Sequence, residues 1–482
     1  MKRVFKLVGY GLFGLFIVLI LVALVWVRPL LSGAIAFGTK VICNDLNVSQ
    51  LPREFVLENM GRLLPFGDFV VSDDSQRVSF SVLGLTVTEA SFEPGYGCRA
   101  TRSYATRSLP TYVGASPSAV MPLEDLSDLY PELNAMLDER FQQFGQGRGE
   151  SNPANHRAFI ALHHGKLVAE HYAEPYKVST PQHSMSMAKS INALLWSIAD
   201  ERGLASLDDP VYAPEWVGDD PRKAITNRDL LNMQSGLDRG DNYDFAFLKM
   251  ASNGNNAHYA AAQLPLHPPG THYLYADADS NLAARSLSAA LEAHGMTYQA
   301  FAMEALFAPI GADSFVLASD DYGYHFSSSL TYATARDWAR VGQLLLDEGR
   351  FGDRQIIPDQ VFEAIANPLP TSKGMYRFSF WLNQGEANGH PRGDFFQGLP
   401  ADTYAMSGLN GQLLVVMPSL SIVMQHLGAG SEGWAGLGPA VRLVIDAVTL
   451  IEQTDLPDRT VSDGAPLKSA AEDRSKHRSE AG

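Results

Sequence analysis

Ser186 and Lys189 stand three residues apart in QHSMSMAKSINALLWSIADERG, residues 182–203. A helix brings residues three apart onto one face, so the serine hydroxyl can meet the lysine ammonium. A hydroxyl is a weak nucleophile until a base takes its proton. A lysine acts as that base when burial or positive neighbours lower its pKa. A helix N-terminus supplies such a potential, and it aims the Ser186 backbone N–H where an oxyanion would form. The apolar INALLWSIA that follows anchors the helix in a core. On its own the pair is weak evidence, since S-x-x-K arises by chance on the order of once in a chain this long. A serine cap beside a surface lysine is the alternative reading.

Three further stretches change the weighting: ITNRDLLNMQSGLD (225–238), PPGTHYLYADADSNLAARSL (268–287) and ADTYAMSGLNGQLLVVMPSLSIVMQHLG (401–428). With them, and in consistent order over roughly residues 155–450, the chain resembles the serine β-lactamase/penicillin-binding-protein superfamily. The branch it resembles most is class C-like, with esterases and 6-aminohexanoate-dimer hydrolase. The resemblance implies roles by position. Ser186 and Lys189 match the nucleophile and lysine of the first box. Tyr275-Ala276-Asp277 stands where the family has Tyr-x-Asn, so Tyr275 would share a proton with Lys189 and pass it to the leaving group. Asp277 puts an acid in place of the substrate-orienting amide, and a carboxylate there would hold Lys189 charged.

Met406-Ser407-Gly408 stands where the family has Lys-Thr/Ser-Gly. Ser407 and Gly408 would border the substrate, and glycine lets the strand approach it closely. The Leu409 N–H would be the second oxyanion donor beside that of Ser186. Met406 cannot supply the cation that usually holds a substrate carboxylate. The expected function is thus an exported serine hydrolase cleaving a small-molecule amide or ester through an acyl-Ser186 intermediate. The alternatives are a β-lactamase or D-Ala peptidase-like activity, and a non-catalytic penicillin-binding-protein-like binding or sensor protein.

Other candidates carry less. AGSEG (429–433) looks like a variant α/β-hydrolase elbow, but only His477 follows it, where that fold needs a later acid and histidine. His163 and His164 are adjacent in a strand and point to opposite faces. There is no H-E-x-x-H or paired C-x-x-C, so neither a metal nor another cofactor is expected.

The elements that must position these residues divide the chain. Lys2, Arg3 and Lys6 precede an apolar run from Leu7 to Val27. At about 1.5 Å per residue that run matches a bilayer core of about 30 Å. Residues 1–30 therefore read as a membrane anchor or a signal peptide with a cut near Ala34-Ile35-Ala36. The expected location is the bacterial inner membrane with the catalytic domain in the periplasm, or secretion if the segment is cleaved. Cys43 and Cys98 are the two cysteines, and an even count in an exported chain favours a disulfide between them over two separate thiols. Residues 31–105 read as a small β-rich segment, 106–155 as a linker and helical lead-in, 156–454 as the hydrolase domain and 455–482 as a disordered tail.

A net charge of -16 excludes a nucleic-acid partner for want of a basic stripe. A hairpin, a helix, a long helical stretch, late strands and a closing helix predict an α+β fold, an α/β sandwich. In it an antiparallel sheet is flanked by helices beside a mostly helical lobe, β-lactamase-like, with the site in the cleft between.

Overall fold

The computed structural model describes residues 10, 28–61, 67–100, 109, 123–142, 156–240, 242–384, 396–428 and 437–454. Its strands, in chain order, begin with a four-stranded sheet: β1 (Asp68–Val71), β2 (Arg77–Val82), β3 (Leu85–Glu93) and β4 (Gly97–Ala100). Next come β5 (His156–His163), β6 (Lys166–Tyr172), β7 (Gln182–His183), β8 (Val316–Leu317), β9 (Thr331–Ala333), β10 (Arg350–Phe351) and β11 (Arg354–Gln355). The last are β12 (Tyr376–Arg377), β13 (Phe380–Leu382), β14 (Tyr404–Gly408), β15 (Gln412–Met417) and β16 (Ile422–Gly428). The helices are α1 (Arg28–Asn47), α2 (Arg53–Gly61), α3 (Pro131–Gln142), α4 (Met187–Glu201), α5 (Asn227–Leu231) and α6 (Tyr243–Asn253). They continue as α7 (Asn256–Ala261), α8 (Asp277–Ala293), α9 (Tyr298–Ala302), α10 (Ala335–Leu346), α11 (Asp359–Ala366) and α12 (Leu437–Gln453).

The main sheet is antiparallel, with strand order β12-β13-β14-β15-β16-β5-β6. Its central strands β14, β15 and β16 are mostly apolar and buried along their whole length, as strands covered on both faces are. Alternation sorts each strand between two cores. Ala158, Ile160 and Leu162 of β5 join Tyr404 and Met406 of β14 under α4, α8 and α10. Phe159 and Ala161 join Ala405, Leu413 and Val415 under α3 and α12. Burying each such large apolar side chain is worth about 1.5–3 kcal/mol. This is the α+β sandwich expected, with α5 to α9 forming the helical lobe.

The N-terminal region differs from expectation. Ahead of the β1–β4 sheet stands α1, whose Ile35, Ala36, Ile42 and Cys43 are buried. Lys40 of α1 pairs with Asp321, and both side chains are fully enclosed. The suggested cut at Ala34–Ala36 thus falls within a packed helix. The anchor reading is corrected in the same place. No helix among the described residues is long and apolar enough to cross a membrane. The Leu7–Val27 run itself lies outside the described residues apart from Tyr10. The membrane partner and the inner-membrane location are accordingly withdrawn. Cys43 and Cys98 are joined as a disulfide that ties α1 to β4. The tail from 455 onward lies outside the described residues.

Candidate active site

The nucleophile candidate sits on a corner. Gln182 and His183 of β7 pair with Ala333 and Tyr332 of β9. Met185 then takes a left-handed φ of 50° and turns the chain into α4, with Ser186 at the N-cap. A non-glycine residue in that region costs free energy, and the surrounding packing must hold it. Every residue of α4 from Met187 to Ala199 is buried. Trp196 Nε1 donates to Ala283 O of α8 at 3.0 Å, which locks the two helices together.

Lys189 is only 1 % exposed, and Ser186 8 %. A buried ammonium needs an acceptor for each of its three N–H groups. Lys189 Nζ donates to Ser186 Oγ at 2.9 Å, to Asp277 Oδ1 at 2.6 Å and to Ser328 O at 3.0 Å. Burial works against its charge, but the Asp277 carboxylate and Tyr275 outweigh it, and the lysine pKa is raised. Resting Lys189 is therefore an ammonium.

Asp277 opens α8, where the helix dipole favours a carboxylate. Asn281 Nδ2 donates to Asp277 O at 2.8 Å and to Ser328 Oγ at 2.9 Å, so one amide ties together the two residues that, with Ser186, accept from Lys189. Tyr275 reaches the site because Leu274 N donates to Met233 O and holds the chain before α8. Its ring centroid lies 4.9 Å from Lys189 Nζ. Trp381 packs on it at 5.2 Å, Tyr243 at 5.7 Å and Tyr376 at 5.8 Å. Trp381 of β13 thus sits beside the site while also belonging to the core.

The third box comes up beside the nucleophile. A Cβ added at Gly408 would lie 2.5 Å from Ser184 O and 2.9 Å from Ser186 N. Only glycine permits that approach. Ser407 is buried, and Leu409 follows in the turn Leu409–Gly411. Met406 is 1 % exposed and belongs to the core cluster that includes Met187 and Ile191 of α4. The structure thus brings Ser186, Lys189, Tyr275, Asp277 and Gly408 together. The Ser328 carbonyl and Asn281 were not legible from sequence, because a backbone carbonyl carries no residue-type signal. A cavity of about 1200 Å³ lies elsewhere, lined by Leu123, His164, Lys166, Met303 and Arg340 among others, and includes none of these groups.

A buried serine–lysine pair at a helix N-terminus, between an antiparallel sheet and a helical lobe, defines the serine β-lactamase/penicillin-binding-protein class. The family model described as Beta-lactamase matches residues 142–431, more than half of the chain, and the chain belongs to that family. Among solved structures it is similar to a Bacillus anthracis protein assigned as a 6-aminohexanoate-dimer hydrolase. That likeness has 20 % identity and a TM-score of 0.51, and covers 71 % of this chain and 89 % of that one. It is also similar to a penicillin-binding-protein homologue from Caulobacter crescentus (17 % identity, TM-score 0.48, 69 % and 100 % covered). A family VIII carboxylesterase gives 16 % identity and a TM-score of 0.48, with 68 % and 98 % covered. Identities this low speak for the fold alone. No match was found among curated proteins. Family membership supports serine hydrolase-type activity in general terms.

Proposed function

We propose that this chain hydrolyses a small-molecule ester or amide through an acyl-Ser186 intermediate. The observation that carries the reading is the 2.9 Å contact between Lys189 Nζ and Ser186 Oγ at the start of a buried helix. Because resting Lys189 is charged, it first passes a proton to Asp277 across 2.6 Å. Rotation about its Cε–Nζ bond then turns the freed lone pair toward Ser186, and the amine takes the hydroxyl proton. Ser186 Oγ attacks the carbonyl carbon, and the backbone N–H groups of Ser186 and Leu409 hold the oxyanion. As the scissile bond breaks, Tyr275 hands its proton to the leaving group and takes back from Lys189 the proton that came from Ser186. Water then gives a proton to Lys189 and attacks the acyl carbon, Ser186 Oγ leaves with a proton relayed through Tyr275, and the proton held on Asp277 returns to Lys189.

Met406, enclosed in the core, supports a substrate that needs no cation for a carboxylate. Ser407 and Gly408 border such a substrate. Neutral p-nitrophenyl acetate should exceed nitrocefin in kcat/KM, and the reverse order would instead favour a β-lactamase. One observation favours a second reading. The Asp277–Lys189 ion pair opposes base function, as expected of a non-catalytic binding protein that keeps the fold. Turnover of any ester that is lost in Ser186→Ala excludes that second reading.

A further inference from the structure

Behind the turn that follows Gly408 sit two buried histidines that the serine–lysine chemistry does not use. His426 lies on β16, opposite Leu413 of β15 and Phe159 of β5, and His156 begins β5 opposite Gly428. His426 Nδ1 is 2.5 Å from Gly411 O, and its Nε2 is 2.7 Å from His156 Nδ1. A carbonyl only accepts, so His426 Nδ1 carries a proton. Burial, and then the charges of His426 and Arg140, hold His156 down at about 3. Burial holds His426 down at about 4 against the Gly411 bond, so both rings are neutral near pH 7. A neutral imidazole has one N–H. His426 Nε2 is therefore an acceptor, and His156 Nδ1–H donates to it. Phe141 of α3 stacks on His156 with centroids 5.5 Å apart and fixes that ring in turn.

Gly411 closes the Leu409–Gly411 turn, in which Asn410 and Gly411 both take left-handed φ, 63° and 83°. Gln412 Nε2 donates to Gly428 O at 2.6 Å, and Gly428 N donates back to Gln412 Oε1 at 3.2 Å. One end of the turn is thus bonded to the sheet, while the other, through Gly408, lies against Ser186 N. We propose that His426, its ring held between Gly411 O and His156, is a positioning residue for the oxyanion site. By fixing Gly411 O it sets the aim of the Leu409 N–H. This rests on the reading of that N–H as the second oxyanion donor.

The test compares p-nitrophenyl acetate with its thionoester, in which sulfur replaces the carbonyl oxygen. Sulfur is the weaker hydrogen-bond acceptor, so a well-aimed oxyanion site prefers the oxygen ester. Removing an oxyanion donor outright costs roughly 10²–10³-fold in kcat, so misaiming one in His426→Leu should cost about 10–100-fold. KM should stay within about twofold, and the oxygen-over-sulfur preference should shrink, as for a lost donor. His426→Asn keeps an N–H near the place of Nδ1 and should restore most of both. His156→Phe retains a ring for Phe141 but removes the N–H that holds the far side of the His426 ring. It should shift the preference the same way, and it carries the test if the leucine variant does not fold. A preference unchanged in the folded variants, even with slower turnover, overturns the proposal and leaves the oxyanion reading standing. A wild-type enzyme without the preference overturns both.

Discussion

Asp277 Oδ1 lies 2.6 Å from Lys189 Nζ, closer than the serine hydroxyl that the lysine has to serve. Asp277 stands where the resemblance expects an asparagine, and this changes the resting charge of the site. A charge-assisted contact of this length is among the stronger hydrogen bonds, and here it outweighs the burial that would otherwise neutralise the lysine. The same carboxylate that opposes base function is also the nearest place to put the lysine proton.

Asp277→Asn removes the group that keeps Lys189 charged and leaves burial to dominate, which lowers the lysine pKa. The rising limb of the kcat/KM–pH profile should move toward lower pH by about one unit or more. Stability carries the opposite signature. A lysine whose folded pKa is raised contributes stability below its unfolded value of about 10.4 and loses it as pH rises through the folded value. The variant should therefore be less stable than wild type at neutral pH, with the gap closing at strongly alkaline pH. An unmoved kinetic limb would mean that Lys189 is not the titrating base.

Gly408→Val should abolish turnover or at least cost about 10²-fold in kcat, the scale of a disturbed oxyanion site. Its Cβ would fall 2.5 Å from Ser184 O and force β14 away from the nucleophile. Steady-state kinetics on protein shown to be folded by circular dichroism is the check. Wild-type kcat in that variant would mean that β14 does not border the reaction.

Lys40→Met should destabilise by about 3–5 kcal/mol, because it leaves the enclosed Asp321 carboxylate without its cation. The paired change Lys40→Met/Asp321→Leu should cost less than the single one. Denaturant titration of both variants measures this. Equal stability of wild type and Lys40→Met would mean that α1 is not docked against Asp321.

The candidate site is legible in the sequence where side chains define it. Ser186 and Lys189 share a helix face by spacing, and the sequence around Tyr275 and Gly408 falls in a consistent order after them. What escaped was fixed by contacts distant in the chain. Ser328 offers Lys189 a backbone carbonyl from 139 residues away, and His426 of β16 reaches Gly411 in the turn before β15 and His156 of β5. The N-terminal helix escaped for another reason. GAIAFGTKVICNDLN continues the apolarity of the preceding run, so hydropathy gives no boundary where the packed helix begins. Lys40 and Asn44 show themselves as interior residues only once Asp321 and the Cys98 N–H are seen against them.

The central claim is that Ser186 forms the covalent intermediate, and it is tested most directly by mapping a fluorophosphonate adduct by peptide mass spectrometry. One stoichiometric adduct is expected on the peptide holding Ser186, with no label in Ser186→Ala and loss of ester turnover by up to about 10⁶-fold in that variant. An adduct on another serine, or turnover unchanged in Ser186→Ala, would contradict it.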